Sequence, residues 1–569
     1  MIFRRRLSPL FLLAVAGCGP AEAEVQTLQV AQGPIAVNSA VVVSAFPEAS
    51  RIGAEVLESG GNAVDAAIAT GFALAVTHPV AGNIGGGGFM VIRFPDGTAT
   101  TFDFREKAPL AAHPEMFLDE DGEYSNDIHH RSHLAVGVPG TVAGFARAHE
   151  TYGEALWADL LDPAIGLARD GFTVTAQLSE SLERMVDRFA EYPASHRQFT
   201  KSGAPYEEGD RLVQADLAAT LTRVRDQGHD GFYRGETARL LAEEMERNGG
   251  MITEEDLARY EAKEREPVQG TYRGYDVISM PPPSSGGTAL VQMLNILEGF
   301  DLADLGHNSP EYLHHLAEAM RVAFRDRARF LADADFSPVP VERLTSKTYA
   351  GALRADIDPG MATASAPEDL EMGYESPETT HYSVVDADGM AVSVTYTLEG
   401  GYGSWITVPG AGFLLNNEMG DFNAGPGLTD DRGLIGTEPN LARPEQRMLS
   451  SMTPTILARD GELVGVIGSP GGRTIINTVL QLVLNRVDFG MTATDVVAAG
   501  RIHHQWLPDA LRLERRVMRE DRAAALEALG HRLTWSEQQG LAHVIFREED
   551  GRLVGAPDPR EDDGAAAGY

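Results

Sequence analysis

The chain has 569 residues, 43% of them hydrophobic, enough to bury one large core or two ordinary ones. Its 83 acids against 47 bases give a formal charge of −36, which excludes nucleic acid as a partner, because a phosphate-binding face needs the opposite sign. The acids are spread along the chain as on a solvated surface, and the single cysteine, Cys18, excludes disulfides within the chain.

At the start, Arg4-Arg5-Arg6 precede a short apolar run, 7–16, which ends in Val15-Ala16-Gly17-Cys18. A basic start, about ten apolar residues and small residues at the cut form an export signal, too short to span a bilayer. The triplet before Cys18 also resembles a bacterial lipobox, in which Cys18 is lipidated and becomes the first mature residue. This makes 1–17 a lipoprotein-type signal and 18–31 a linker. It gives an expectation of a periplasmic protein held at the outer membrane by lipid alone. No other segment has the roughly 18–20 uninterrupted apolar residues of a membrane helix.

Past residue 30, strand-like and helix-like pieces alternate. Residues 40–45 read as a strand. Residues 47–59 place Ile52, Val56 and Leu57 on one helical face, stopped by Gly60-Gly61. Residues 63–76 form a small-residue helix closed by His78-Pro79, and 89–94 with 98–104 a hairpin around Asp96-Gly97. From about 140 to 360 the pattern is mainly helical. Its longest stretch, 310–333, has Ser309 at the cap and Pro310 in the first turn. Strands return over 380–415, at 455–459 and at 463–468. Gly472 leads into a helix over 475–485, and 561–569 reads as a frayed tail. No internal repeat or sustained heptad appears. The mixture fits an α+β layered fold.

The run Thr379-Thr380-His381-Tyr382-Ser383-Val384-Val385-Asp386 carries the strongest chemical signal. It opens an alternating hairpin just after 367–378, where Gly373, Pro377 and several acids discourage regular structure. A hydroxyl at a strand start behind such a linker is the layout of an N-terminal-nucleophile hydrolase. Scission between Glu378 and Thr379 gives one residue both an attacking hydroxyl and an α-amine. That amine titrates at roughly 7.7–8.0, so it can accept the hydroxyl's proton near neutral pH. Alone, a Thr-Thr pair at a strand start is ordinary β-propensity.

Longer strings add to that reading. They are Gly60-Gly-Asn-Ala-Val-Asp-Ala-Ala-Ile-Ala69, Gly82-Asn-Ile-Gly-Gly-Gly-Gly-Phe-Met90, Phe104-Arg-Glu-Lys-Ala-Pro109 and Pro281-Pro-Pro-Ser-Ser-Gly-Gly287. Thr379 to Asp386, Leu414-Leu-Asn-Asn-Glu-Met-Gly-Asp-Phe422, Leu449-Ser-Ser-Met452 and Gly468-Ser-Pro-Gly-Gly472 complete the set. In this order, over about residues 32–555, the chain resembles the gamma-glutamyltransferases. The resemblance implies a four-layer αββα sandwich, cut into a large subunit, 32–378, and a small one, 379–569, which stay together as a heterodimer around one core.

It implies site roles as well. Thr379 attacks a γ-glutamyl carbonyl and Thr397 supports it, while Gly471 and Gly472 match the oxyanion-hole pair, where a missing Cβ lets backbone N–H groups approach the developing charge. Arg105 matches the residue that grips the donor's carboxylate through two parallel hydrogen bonds, with Ser450 and Ser451 adding hydroxyls. Glu418 and Asp421 match the acids that face the donor's ammonium. Glu399 stands where many members carry asparagine, and it is expected to meet the same ammonium. Arg432 stands where some members have an aromatic lid residue, on the loop 423–447.

Other features point away from alternatives. Gly85-Gly-Gly-Gly88 lacks the Gly-Lys-Ser/Thr of a phosphate loop. His129, His130 and His133 lack the spacing and acids of a closed metal site, and His503-His504 read as structural. No metal or cofactor is expected. The implied activity is cleavage of glutathione-like γ-glutamyl compounds, passing the acyl group to water or to an amino acid or peptide. Two alternatives stand beside it. One is an acylase for glutaryl-type β-lactam side chains, whose substrate lacks the α-ammonium. The other is a non-catalytic peptide-binding lipoprotein.

Overall fold

The computed structural model describes residues 27–366, 379–428 and 436–569. The expectations for Cys18, Glu378 and Arg432 fall outside them. Two antiparallel sheets form the centre. The first has eight strands, in the order Gln29–Ala31, Ala565–Gly568, Val41–Ser44, Thr380–Val385, Ala391–Thr397, Gly87–Arg93, Ala99–Phe104 and Lys263–Arg265. The second has seven: Ile35–Val37, Leu553–Ala556, Val544–Arg547, Glu462–Ile467, Thr455–Arg459, Tyr275–Ser279 and Val268–Tyr272.

The two-residue side-chain period of a strand shows how these sheets stack. Val42, Met90, Ile92, Val384 and Val394 point into one core, with the helices Pro47–Glu58 and Ala63–Thr77. Their neighbours Val41, Val43, Phe89, Val91 and Val385 point into another, shared with Ile456, Val466 and the helices Gly286–Leu297, Pro310–Phe330 and Thr474–Val487. The result is helix, sheet, sheet, helix, as expected. Strands covered on both faces read as unbroken apolar runs such as Val41-Val-Val43.

Local chemistry sets the helix ends. The Asn62 side chain accepts from the N–H groups of Val64 and Asp65, and Asp65 accepts in return from Asn62 N–H, a capping box that starts the alanine-rich helix behind the first sheet. Ser309 caps Pro310–Phe330 by accepting from Tyr312 N–H at 3.1 Å. That helix stops short of Asp333, whose carboxylate accepts instead from the backbone N–H groups of Asp335 and Arg447.

Three sequence expectations need correction. The tail 561–569 is not frayed: Ala565–Gly568 is a buried strand between Gln29–Ala31 and Val41–Ser44, with Ala40 and Tyr569 exchanging backbone hydrogen bonds. Its sequence, Ala565-Ala-Ala-Gly568, has little strand propensity, and partners more than 500 residues away decide its state. Gln29–Ala31, within the expected linker 18–31, is a strand for the same reason. Over 398–415 the chain does not continue as a strand, because the backbone turns through positive φ at Glu399, Tyr402 and Trp405.

Candidate active site

Strand register assembles the site. Thr380 pairs with Tyr396, Thr397 with Gly87, and Gly88 with Phe104. Residues at or just beyond the ends of four neighbouring strands therefore meet at one end of the first sheet: Thr379, Thr397, Gly87 and Arg105. The glycine run passes between them without room for side chains. A Cβ on Gly86 would lie 2.0 Å from the Thr397 carbonyl oxygen, and one on Gly87 2.4 Å from that of Phe104.

A small pocket at this end is lined by Arg105, Thr379, Thr397, Glu399, Glu418, Asp421, Ser450, Ser451, Met452, Gly472 and Ile475. Every side chain expected from the sequence to touch a donor is therefore in one place. Gly471 lies beside the lining. The Thr379 hydroxyl donates toward Thr397 Oγ1 at 3.4 Å, and that oxygen accepts from Glu399 N–H at 2.9 Å. Asn83 holds Thr397 from behind by donating to its carbonyl at 2.8 Å, while the Asn83 amide oxygen accepts from Gly86 N–H.

Arg105 is fully buried. It donates to Glu418, to Asp421 and to the carbonyls of Met448 (3.3 Å) and Leu449 (3.2 Å), and Glu106 lies 3.7 Å away. Burial alone would lower the guanidinium, but the carboxylates of Glu418, Asp421 and Glu106 outweigh it and hold Arg105 above its ordinary value. One cation shared among several acids cannot spare each of them the cost of burial. Glu106 is pushed up to about 8, by burial first and against the pull of Arg105. Glu418 also lies well above the usual carboxylate range, again by burial first.

The remaining walls are laced to this centre. Asn416 donates to the carbonyls of Gly85 and Gly137, both at 2.8 Å, and accepts from Glu418 N–H, which fixes the turn carrying Glu418 and Asp421. Asn417 donates to Glu399, whose other oxygen lies 3.6 Å from His130 Nδ1. The segment Pro281-Pro-Pro-Ser-Ser285 lies along Leu449-Ser-Ser-Met452: Ser450 N–H donates to Pro283 O, Ser285 N–H to Ser450 O, and the Ser284 hydroxyl to Met452 O. Gly471 and Gly472 take φ of 134° and 55°, which favour glycine. Just after them begins Thr474–Val487, so the positive end of a helix borders the pocket through Gly472 and Ile475. Asn83, Asn416 and Asn417 were given no role in the sequence reading. Their signal was an asparagine inside each glycine- or acid-rich motif, the side chain suited to satisfying irregular backbone.

The three histidines do not converge. His129 hydrogen-bonds with Met419 O, His130 faces Glu399 and His133 pairs with Glu244. No cluster of three or more His, Cys, Asp or Glu suited to a metal occurs among the described residues.

A threonine hydroxyl at the edge of an αββα sandwich, next to glycine turns, a buried arginine and paired acids, is the arrangement of an N-terminal-nucleophile hydrolase. Comparison with known proteins agrees. The solved cephalosporin acylase from Bacillus halodurans superposes with a TM-score of 0.82 at 26% identity, covering 98% of this chain and 99% of that one. The sequence profile of the Gamma-glutamyltranspeptidase family matches residues 49–568, and the chain belongs to that family. It is 47% identical to the glutathione hydrolase proenzyme of Escherichia coli (strain K12), over 94% of this chain and 93% of that protein. The solved gamma-glutamyltranspeptidase of Helicobacter pylori matches at 50% identity and a TM-score of 0.56, over 56% of this chain and 92% of that one.

Proposed function

We propose that this chain is a self-cleaving glutathione hydrolase and γ-glutamyltransferase whose nucleophile is Thr379. One observation carries the reading: a threonine hydroxyl borders a buried pocket where a single guanidinium lies between two carboxylates. That pattern complements an amino-acid head, whose carboxylate takes the arginine while its ammonium takes the acids. Arg105, Ser450 and Ser451 hold the carboxylate; Glu418, Asp421 and Glu399 hold the ammonium. Thr379 Oγ attacks the γ-carbonyl, its own α-amine takes the proton, and the oxyanion is met by the N–H groups of Gly471 and Gly472. The C–N bond breaks, the amine leaves with the proton, and water or an amino acid or peptide takes the acyl group from Thr379.

The same hydroxyl makes the enzyme. Attack on the Glu378 carbonyl followed by hydrolysis frees the Thr379 amine and leaves the large subunit 32–378, still joined to the linker 18–31, paired with 379–569. Thr379→Ala should therefore stay one inactive chain, and Thr379→Ser should still cut but turn over more slowly, since it loses the methyl that restricts its rotamers. N-terminal sequencing of the small fragment decides the matter: a start at Thr380, or an active uncut Thr379→Ala, refutes it. The glutaryl acylase reading gains from the likeness to the B. halodurans enzyme. It loses on chemistry, because a donor without an ammonium leaves Glu418 and Asp421 buried against no cation.

The address is part of the proposal: export, with Cys18 lipidated, supported by Val15-Ala-Gly-Cys18. No helix among the described residues is long and apolar enough to cross a membrane. Cys18→Ser should move active enzyme from the membrane fraction to the soluble one; wild type already wholly soluble would count against the anchor.

A further inference from the structure

We infer that Arg327 is a positioning residue for donor recognition, a buried guanidinium that fixes the Ser450–Ser451 turn and aims the Ser451 hydroxyl at the donor's carboxylate. The inference rests on the function proposed above, and it concerns a residue outside the pocket lining. Arg327 sits in the last turn of Pro310–Phe330, where the helix dipole favours a cation, and only 1% of it is exposed. Its Nε donates to Ser285 Oγ at 2.8 Å and its Nη2 to Ser451 Oγ at 3.0 Å.

The direction of these bonds matters. A guanidinium only donates, so each serine oxygen accepts from Arg327 and must give its own proton elsewhere. Ser285 gives its proton to the Ser450 carbonyl at 2.6 Å. Arg327 thus holds Ser450 through one relay and Ser451 directly. Ser451 lines the pocket beside Arg105, and with Arg327 on its oxygen its proton is turned away from the guanidinium. A carboxylate there needs a donor, and a hydroxyl polarised by a cation is a stronger one. The motif Pro281 to Gly287 gains a reason as well: Ser285 is the middle link between the helix and the substrate turn.

The test compares two donors on self-cleaved protein: a γ-glutamyl anilide and a 4-aminobutyryl anilide, which lacks the α-carboxylate. Arg327→Lys keeps the charge but cannot reach both serines in one plane. Its KM for the γ-glutamyl donor should rise roughly five- to tenfold, the size of one or two hydrogen bonds, with kcat changed less than about threefold. Activity on the 4-aminobutyryl donor should stay within about twofold of wild type, and adding Ser451→Ala should cost little more. Ser285→Ala, which removes the Nε acceptor and the donor to Ser450 O but leaves the Arg327–Ser451 bond, should shift KM the same way by a smaller factor, and it decides alone if Arg327→Lys does not self-cleave. An unchanged KM, or equal loss on both donors, overturns the inference. Wild type inactive on the γ-glutamyl donor would instead refute the proposed function.

Discussion

At the scale of the residue, the pocket already occupies its own cation. Arg105 is bound by Glu418 and Asp421, the same acids proposed to hold a donor's ammonium. A zwitterionic head can enter by exchange, because its carboxylate replaces the acids on Arg105 while its ammonium takes the acids so released. A ligand carrying one charge strands the partner it does not satisfy, and a stranded buried charge is expensive. Arg105→Lys should retain self-cleavage but lose roughly ten- to over a hundredfold in kcat/KM toward γ-glutamyl donors, as expected for losing hydrogen bonds to a charged group. Steady-state kinetics that stay within about twofold would remove Arg105 as the carboxylate partner. Arg105, Thr379, Glu418, Asp421, Ser450 and Ser451 were legible in the sequence because they fall in compact motifs. Arg327 was not, and Asn83 and Asn416, although inside such motifs, did not show their partners, since all three act on backbone or hydroxyl groups brought near only by the fold.

At the scale of the element, helices and hairpins with local signals were legible. Proline in the first turn, serine at the cap and Gly-Gly stops placed Pro47–Glu58 and Pro310–Phe330 close to their observed limits. The strand Ala565–Gly568 was not, because alanine and glycine carry no strand signal of their own. Its identity comes from pairing on both edges with Gln29–Ala31 and Val41–Ser44. Small residues suit the place: a Cβ on Gly568 would lie 2.3 Å from the Ala40 carbonyl oxygen. Deleting 565–569 should remove this internal strand and leave the edge of Val41–Ser44 unpaired. Several backbone hydrogen bonds at ~0.5–1.5 kcal/mol each, with their burial, rival a typical folding margin of roughly 5–15 kcal/mol. The expected outcome is no soluble, self-cleaved protein. A truncated enzyme melting within a few degrees of wild type would show that the strand is dispensable.

At the scale of the whole molecule, titration is set by groups kept neutral inside it. His129, His381 and His503 lie well below their ordinary value, by burial first, and His531 is brought down to about 4 by burial and then by neighbouring His314 and His504. For such a group the unfolded chain binds the proton first, at about 6.5. Between about 6.5 and 4 the unfolded state therefore holds more protons, and the group's contribution to stability is lost as pH falls. His531→Gln removes one such term. Melting curves across that window should show the variant gaining on wild type by roughly a few degrees toward pH 4; a gap constant with pH would contradict the assignment.

Both sheets draw strands from either side of Thr379. Val41–Ser44 lies between Ala565–Gly568 and Thr380–Val385 in one sheet, and Thr455–Arg459 lies against Tyr275–Ser279 in the other. The proposed scission before Thr379 leaves the native contacts in place but changes the molecularity of folding. The intact precursor folds as a single chain. Once cut, two fragments with no disulfide between them must find each other at whatever concentration prevails, and neither half contains either central sheet complete. Reassembly then depends on dilution, as it does for an obligate dimer. The lifetime of an enzyme cut there would accordingly be governed by how slowly it opens.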